Sequence, residues 1–314
     1  MGGTLAEHLI RSDDLVSWAL GVGAARPGGW RTCRPGPDRA VRPGRGRRGR
    51  AGRADRPQAA RGDLPPGRAG EPAGQHGRPR GTWALNLGGT PEPARGRPEV
   101  GPGARVVWSA RGQLRQPAPE HLPVTESCPM RPNNPYSSSK AAADLLGVQH
   151  ALEHGADVVI VRPFNHAGPR QSSRYVLGAL ALQVAEVELG RKARVEVGNL
   201  DVVRDFTDVR DVVRGYRLLA LAGRGDAGEI YNLGSGRGTK LADAVAILTS
   251  LARVPIEVHV DPARVRPVDL PLLVADPSKL RAATGWEPCI SIEQTLADML
   301  QDWRDTLVRE DHAA

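Results

Sequence analysis

Residues 131–161 read RPNNPYSSSKAAADLLGVQHALEHGADVVIV. The stretch predicts a helix from Tyr136 to His154, a stop at Gly155 and a short buried strand from Val158 to Val161. Ala141, Leu145, Val148 and Leu152 recur at helical spacing, so they are the positions expected to meet a core. A helix that runs into a β-branched strand is the repeating unit of an α/β fold.

Downstream the alternation continues. A helix is expected over 174–189, with Ser172 and Ser173 as candidate caps. Val195 and Val197 lie on a strand, and Asp208 caps a helix carrying Val209, Val212, Val213, Tyr216 and Leu219. A strand over 230–233, a helix over 241–251 and a strand over 256–260 follow. Residues 277–283 form a helix closed by Gly285. Ser291 and Gln294 make a capping box for a last helix that reaches about Leu307. Strands alternating with helices imply a mainly parallel sheet. The cluster Gly234-Ser-Gly-Arg-Gly238 is read as the turn into the 241–251 helix and is given no cofactor role.

Upstream the pattern changes. Residues 2–20 read as a short amphipathic helix, with Leu5, Leu9 and Ile10 on one face, running into an extended Leu15–Leu20. From Gly21 to Gln116 neither helical nor alternating periodicity is present, and disorder is expected there because too little apolar surface exists to offset chain entropy. This segment holds 20 arginines, no lysine and 6 acids. The rest of the chain has 29 acids against 23 bases, so the net charge of +8 belongs to one segment and does not by itself argue for nucleic acid as a partner. The three cysteines, Cys33, Cys128 and Cys289, are too widely spaced for a metal site or a disulfide framework. No run has the length of a membrane span, and Leu5–Leu20 is too interrupted by charge to be a signal peptide, so a cytoplasmic protein with no membrane partner is expected.

Tyr136 and Lys140 carry the chemistry. Residues four apart share a helical face, which sets an ammonium beside a phenol. A free tyrosine has a pKa near 10, and a neighbouring cation favours the phenolate. Such a phenol exchanges a proton with a sugar oxygen while hydride moves to or from a nicotinamide. Alone, Tyr-x-x-x-Lys is common on exposed helices.

Three stretches give it context: RPNNPYSSSK (131–140), VRPFNHAGPR (161–170) and GNLDVVRDFTDVRD (198–211). In sequence and order, across about 117–310, they resemble the extended short-chain dehydrogenases (the NAD-dependent epimerase/dehydratase family). Within that group they are similar to the GDP-6-deoxy-mannose reductases and GDP-mannose 4,6-dehydratases. The resemblance implies a Rossmann-like, doubly wound parallel sheet, here damaged in its N-terminal half, with a smaller α/β substrate domain drawn from 170–196 and much of 234–290. It implies NADP or NAD as cofactor, a nucleotide sugar as substrate and a homodimer. Nucleic acid is not an expected partner.

On the same footing, Tyr136 is the acid/base, and Lys140 is its partner and a ribose ligand. Pro163, Asn165 and His166 border the nicotinamide and the sugar, with Pro163 and His166 assigned to the cofactor and Asn165 to the substrate. Arg204 contacts the nucleotide diphosphate, and Arg266-Pro-Val-Asp269 supplies further substrate contacts through Arg266 and Asp269. Gly2 matches the last glycine of the cofactor turn. Plainer readings stand beside these: Arg204 and Arg266 as surface ion-pair partners, His166 as a loop histidine and Asn165 as a turn cap. The motif stretches 204–206 and 266–269 favour the reductase, whose reaction is reduction of a GDP-4-keto-6-deoxy sugar, over the dehydratase.

The resemblance also says what is missing. The first strand and earlier glycines of the cofactor half are absent, since Met1 opens inside the turn. No convincing catalytic Ser or Thr stands near Ala110–Gly112; Ser109 is the nearest hydroxyl and is assigned no role. Residues 21–116 are therefore read as a frame-shifted translation of a GC-rich gene. Read one nucleotide later, Gly62–Pro72 permits VTYHLAGQAS, Leu85–Thr90 permits LILEA and Arg111–Gln116 permits EVSYG, each family-like and in order. A basic tail that binds RNA and a solvated insert are the other readings of this segment. The chain as written is expected to bind cofactor weakly, which leaves an inactive family member as the alternative to an enzyme.

Overall fold

The computed structural model describes residues 106–109, 121–132, 135–154, 157–222, 228–265 and 270–313, with backbone alone for 106–109, Tyr136, His154 and Ala313. The expectations for 1–20 and, apart from 106–109, for 21–116 lie outside these residues.

A three-stranded parallel sheet organises the first half. Its central strand is β2 (Val158–Pro163), flanked by β1 (Val106–Ser109) and by β6 (Ile230–Leu233). Val107 pairs with Val159 and Ile160 with Ile230. Strand β1 falls inside the segment read as lacking periodicity; it is a four-residue run, VVWS, too short for that reading to register. Nearly all of β2 is buried, as expected of a strand covered on both faces. Helix α1 (Pro135–His154) lies on one face, where Val148 and Ala151 meet Val158, Ile160 and Ile230. On the other face Val212, Val213, Tyr216 and Leu219 of α3 (Val209–Leu221) pack with Val159, Val161, Leu233, Leu280 and Trp286. Trp286 is fully buried, and its indole donates to the Asp211 carbonyl at 2.9 Å. Helices on both faces of a parallel sheet make this a Rossmann-like, doubly wound fold.

Beyond β2 the chain enters a second sheet centred on β5 (Val203–Asp208). This strand pairs in parallel with β3 (Asn165–Ala167) and β9 (Leu272–Leu273), and antiparallel with β7 (Gly238–Lys240). A third, two-stranded sheet joins β4 (Val195–Val197) to β8 (Val258–Val260). The largest apolar cluster sits here. Leu177, Leu180 and Val184 of α2 (Val176–Glu188) pack with Val245 and Leu248 of α4 (Leu241–Ser250), and with Leu296, Met299 and Leu300 of α6 (Ile292–Ala313). The short helix α5 (Ser278–Thr284) ends at Gly285, whose φ of 67° is the left-handed cap expected of a glycine there.

Several expectations need correction. Leu145 and Leu152 do not face the core: they are 62% and 71% exposed. The inward face of α1 is made of Ser137, Ala141, Asp144, Gly147 and Ala151, because the polar Arg162 side chain of β2 rises beneath it and takes an acidic partner. Ser172 does not cap α2, whose N-cap is Tyr175; the Ser172 hydroxyl instead accepts from the Arg174 amide in the preceding turn. The capping box at α6 is half made. Ser291 accepts the Gln294 amide at 3.3 Å, but the Gln294 side chain reaches forward to Asp298. The strand expected over 256–260 begins at Val258, and the last helix runs past Leu307 to Ala313.

Candidate active site

Pro135 opens α1 at the position where proline is best tolerated, since its missing N–H has no intrahelical partner to lose. Tyr136 and Lys140 follow in the first two turns. The Lys140 side chain is half-buried, and the Tyr136 side chain lies outside the described residues.

Where β2 ends, Pro163 is buried in register with Leu233, and the Phe164 amide donates to the Leu233 carbonyl at 2.8 Å. The chain then crosses to β3. Asn165 pairs with Phe206 and His166 with Thr207, both two or three residues along β5 from Arg204. The His166 ring nitrogen Nδ1 lies 3.1 Å from the Phe164 carbonyl, which accepts from it in the tautomer protonated at Nδ1. The Gln171 side-chain amide donates to the His166 carbonyl at 3.0 Å. Arg170 adopts φ 66°, an uncommon conformation for a side-chain-bearing residue, with its N–H on Asp302 at 2.7 Å.

Arg204 is half-buried. Its Nη1 donates to the carbonyls of Val203, at 2.9 Å, and Leu270. Leu270 directly follows 266–269, so Arg266 and Asp269, like Gly2, lie outside the described residues. In this chain Arg204 thus clasps the backbone that leaves the Arg266–Asp269 stretch, a role that reading it as a phosphate ligand or surface ion-pair partner did not foresee.

Asp205 was passed over in the sequence, yet it is the hub of this region. Its fully buried Oδ1 accepts the Ser235 amide at 2.8 Å and the Ser235 hydroxyl at 2.6 Å, while Oδ2 accepts the amides of Gly236 at 3.0 Å and Ala275 at 3.1 Å. Burial pushes the Asp205 carboxyl above the ordinary carboxylate range, against the opposing pull of these donors. The glycine cluster 234–238 is therefore a turn built on a carboxylate that leads into β7 and α4, as expected of it.

Two more aspartates of the same motif act likewise. Asp208 caps α3 through the Arg210 amide at 2.8 Å and receives the Thr295 hydroxyl at 2.7 Å. Asp211 receives the amides of Cys289 and Ile290 at 2.8 and 2.9 Å. The signal was present: aspartates at 205, 208 and 211, three residues apart, where a strand gives way to a helix with a buried face. Of these the sequence reading used Asp208 alone.

The loop before α1 is tied down by polar side chains of the sheet. Asn232 donates its side-chain amide to the Val124 carbonyl at 2.9 Å, and the Glu126 carboxylate accepts the Asn232 amide at 2.8 Å. Val124 also bridges to Ala275, which links this loop to the Asp205 hub. Among the described residues no cluster of potential ligands has the makings of a metal site, and no helix is long and apolar enough to cross a membrane.

The Rossmann-like sheet thus carries the Tyr-x-x-x-Lys helix on one face, and the β5-centred sheet lies beyond the end of β2. The family model described as GDP-mannose 4,6 dehydratase matches residues 118–299, and the chain belongs to that family. It is 40% identical over 201 residues to the GDP-6-deoxy-D-mannose reductase of Pseudomonas aeruginosa, covering 64% of each chain, so it spans less than two thirds of that relative. It is 25% identical over 210 residues to the GDP-mannose 4,6-dehydratase of Yersinia enterocolitica, covering 58% of this chain and 56% of the relative. Among solved structures, RMD from Pseudomonas aeruginosa in complex with NADPH superposes with a TM-score of 0.67 at 35% identity, covering 74% of this chain and 77% of that one.

Proposed function

We propose that this chain is an NAD(P)H-dependent nucleotide-sugar reductase acting on a GDP-4-keto-6-deoxy-mannose type substrate. The observation that carries the reading is the 40% identity to a GDP-6-deoxy-D-mannose reductase, against 25% to a GDP-mannose 4,6-dehydratase.

The described residues fit the nicotinamide end of an NADP or NAD cofactor. Lys140 is half-buried beside the start of α1, Pro163 closes β2, and the His166 ring is oriented by the Phe164 carbonyl. When bound, the reduced nicotinamide would supply the hydride for the keto carbon. Tyr136 gives a proton to the oxygen that becomes the hydroxyl, and Lys140 favours the resulting phenolate and holds ribose hydroxyls. Asn165 orients the sugar. Arg204, Arg266 and Asp269 hold the nucleotide, with the Arg204 fork suited to diphosphate once the Leu270 carbonyl shares it. The substrate region comprises 170–196 and much of 234–290. The exposed Leu145 and Leu152 on the outer side of α1 support a homodimer formed through that helix.

The test is oxidation of NADPH by the full chain with GDP-4-keto-6-deoxy-mannose, beside a nicotinamide fluorescence titration. Substrate-dependent oxidation supports the reductase. Turnover of GDP-mannose alone moves the assignment to the dehydratase. Absence of cofactor binding and of both reactions supports the inactive family member instead.

A further inference from the structure

The buried face of α1 is made of small side chains, among them Ala141, Gly147 and Ala151. Among the described residues, its larger apolar contacts come from the C-terminal half, through Val148 and Ala151, while the N-terminal half buries only the small Ala141 and Ala143. Small residues bury little area, so they discriminate weakly between rotations of a helix about its axis. The N-terminal half, which carries Tyr136 and Lys140, also ends in a charged tie to β2. The Arg162 guanidinium forks onto Asp144, Nε to Oδ1 at 3.2 Å and Nη2 to Oδ2 at 2.7 Å, with side chains only 12% and 1% exposed. Its Nη1 donates to the Glu126 carbonyl at 2.8 Å.

Such a pair adds little stability over an apolar replacement, because desolvation offsets the attraction. What it specifies is geometry: a planar fork meets a carboxylate in one orientation. Asp144 lies four residues after Lys140, so the rotation that sets Asp144 on Arg162 also sets the Lys140 face toward β2. Arg162 is followed directly by Pro163.

We propose that the Asp144–Arg162 pair is a positioning device that fixes the rotation of the first half of α1, and so presents Tyr136 and Lys140 to the end of β2. The inference rests on reading those two residues as the acid/base pair.

Asp144→Asn and Arg162→Lys, each in the full chain, test it through amide hydrogen exchange and steady-state kinetics with GDP-4-keto-6-deoxy-mannose. Exchange over 137–147 should rise about tenfold while 148–154 keeps its protection. The kcat should fall about a hundredfold at unchanged KM, the cost of an ångström-scale misplacement. Arg162→Lys keeps the charge but loses the fork, and is expected to behave like Asp144→Asn. Unchanged exchange over 137–147, loosening that extends equally through 154, or an unaltered kcat would overturn the proposal. If the wild-type chain turns over no keto-sugar, the functional reading fails, and the exchange pattern alone then decides the positional one.

Discussion

Arg304 of α6 forks onto Glu188 at the end of α2, Nε donating to Oε2 at 2.7 Å and Nη2 to Oε1 at 2.6 Å. Nη2 also reaches the Leu251 carbonyl, and the Arg253 amide donates to Glu188 at 2.9 Å, so one carboxylate joins α2, α6 and the end of α4. Burial raises the Glu188 pKa, but Arg304 and Arg253 outweigh it and hold the carboxyl below its ordinary value. A depressed carboxyl stabilises the fold above its unfolded pKa and ceases to do so as pH falls through its folded one. Glu188→Gln is therefore expected to cost about 3 kcal/mol at pH 7, as breaking a buried pair does. The gap between variant and wild type should narrow below about pH 4.3, the ordinary glutamate range. Denaturant midpoints measured at pH 7 and pH 3.5 check both statements; a gap independent of pH would show that the charge contributes nothing.

The Asp205 hub makes a steric prediction. A methyl group on Gly234 would stand 2.6 Å from the Ala275 Cβ and 2.7 Å from Asp205 Oδ2, both buried and both engaged. Neither can yield without breaking the bonds to Ser235, Gly236 or Ala275. Gly234→Ala is expected to destabilise by about 2 kcal/mol through overpacking. Thermal unfolding of the variant measures it, and an unchanged midpoint would mean that the turn repacks freely.

Much of this fold could be read from the residues alone because its elements carry strong local signals. The β-branched run at 158–161, Asp208 before an amphipathic helix and Gly285 after a short one each name their own structure. Leu145 and Leu152 misled for a physical reason: helical periodicity shows that a helix has an apolar stripe, but not whether a core or the outer surface meets it. The polar groups were less legible still. Arg162 inside VVIVRP and Asp144 inside AAADLLG are charges within apolar runs, and only the fold reveals that they meet. Asp205 and Asp211 act on backbone amides 30 to 79 residues away, and no local pattern encodes such distances. Tyr136 and Lys140 differ in that their spacing alone sets them one turn apart on α1.

On the proposed reading Arg204 faces two demands, a diphosphate and the carbonyls of Val203 and Leu270 that its guanidinium already serves. Arg204→Lys keeps a positive charge but cannot reach both carbonyls and a diphosphate in one plane. Its KM for the nucleotide sugar should rise about tenfold or more while kcat stays within about twofold, the pattern of lost uniform binding. Free GDP used as a competitive inhibitor should weaken in parallel. Loss of kcat at constant KM would instead place Arg204 with the reacting centre.

Tyr136 and Lys140 should fail differently when removed. Tyr136→Phe deletes the transferred proton and leaves the ring, so kcat is expected to fall about 10²- to 10⁴-fold, the range of general acid catalysis. NADPH affinity should be unchanged, because the phenol donates its proton to the sugar and not to the cofactor. Lys140→Met removes the charge that favours the phenolate and, in the same stroke, the ribose contact. Both kcat and NADPH affinity should therefore drop, and the alkaline limb of kcat, where the phenol loses the proton it must donate, should move to higher pH because the ammonium no longer favours the phenolate. Fluorescence titration with NADPH and a kcat–pH profile separate the two variants. A Lys140→Met protein with normal cofactor affinity and an unchanged kcat–pH profile would break the pairing, because an ammonium one helical turn from a phenol cannot be removed without either effect if it acts on both.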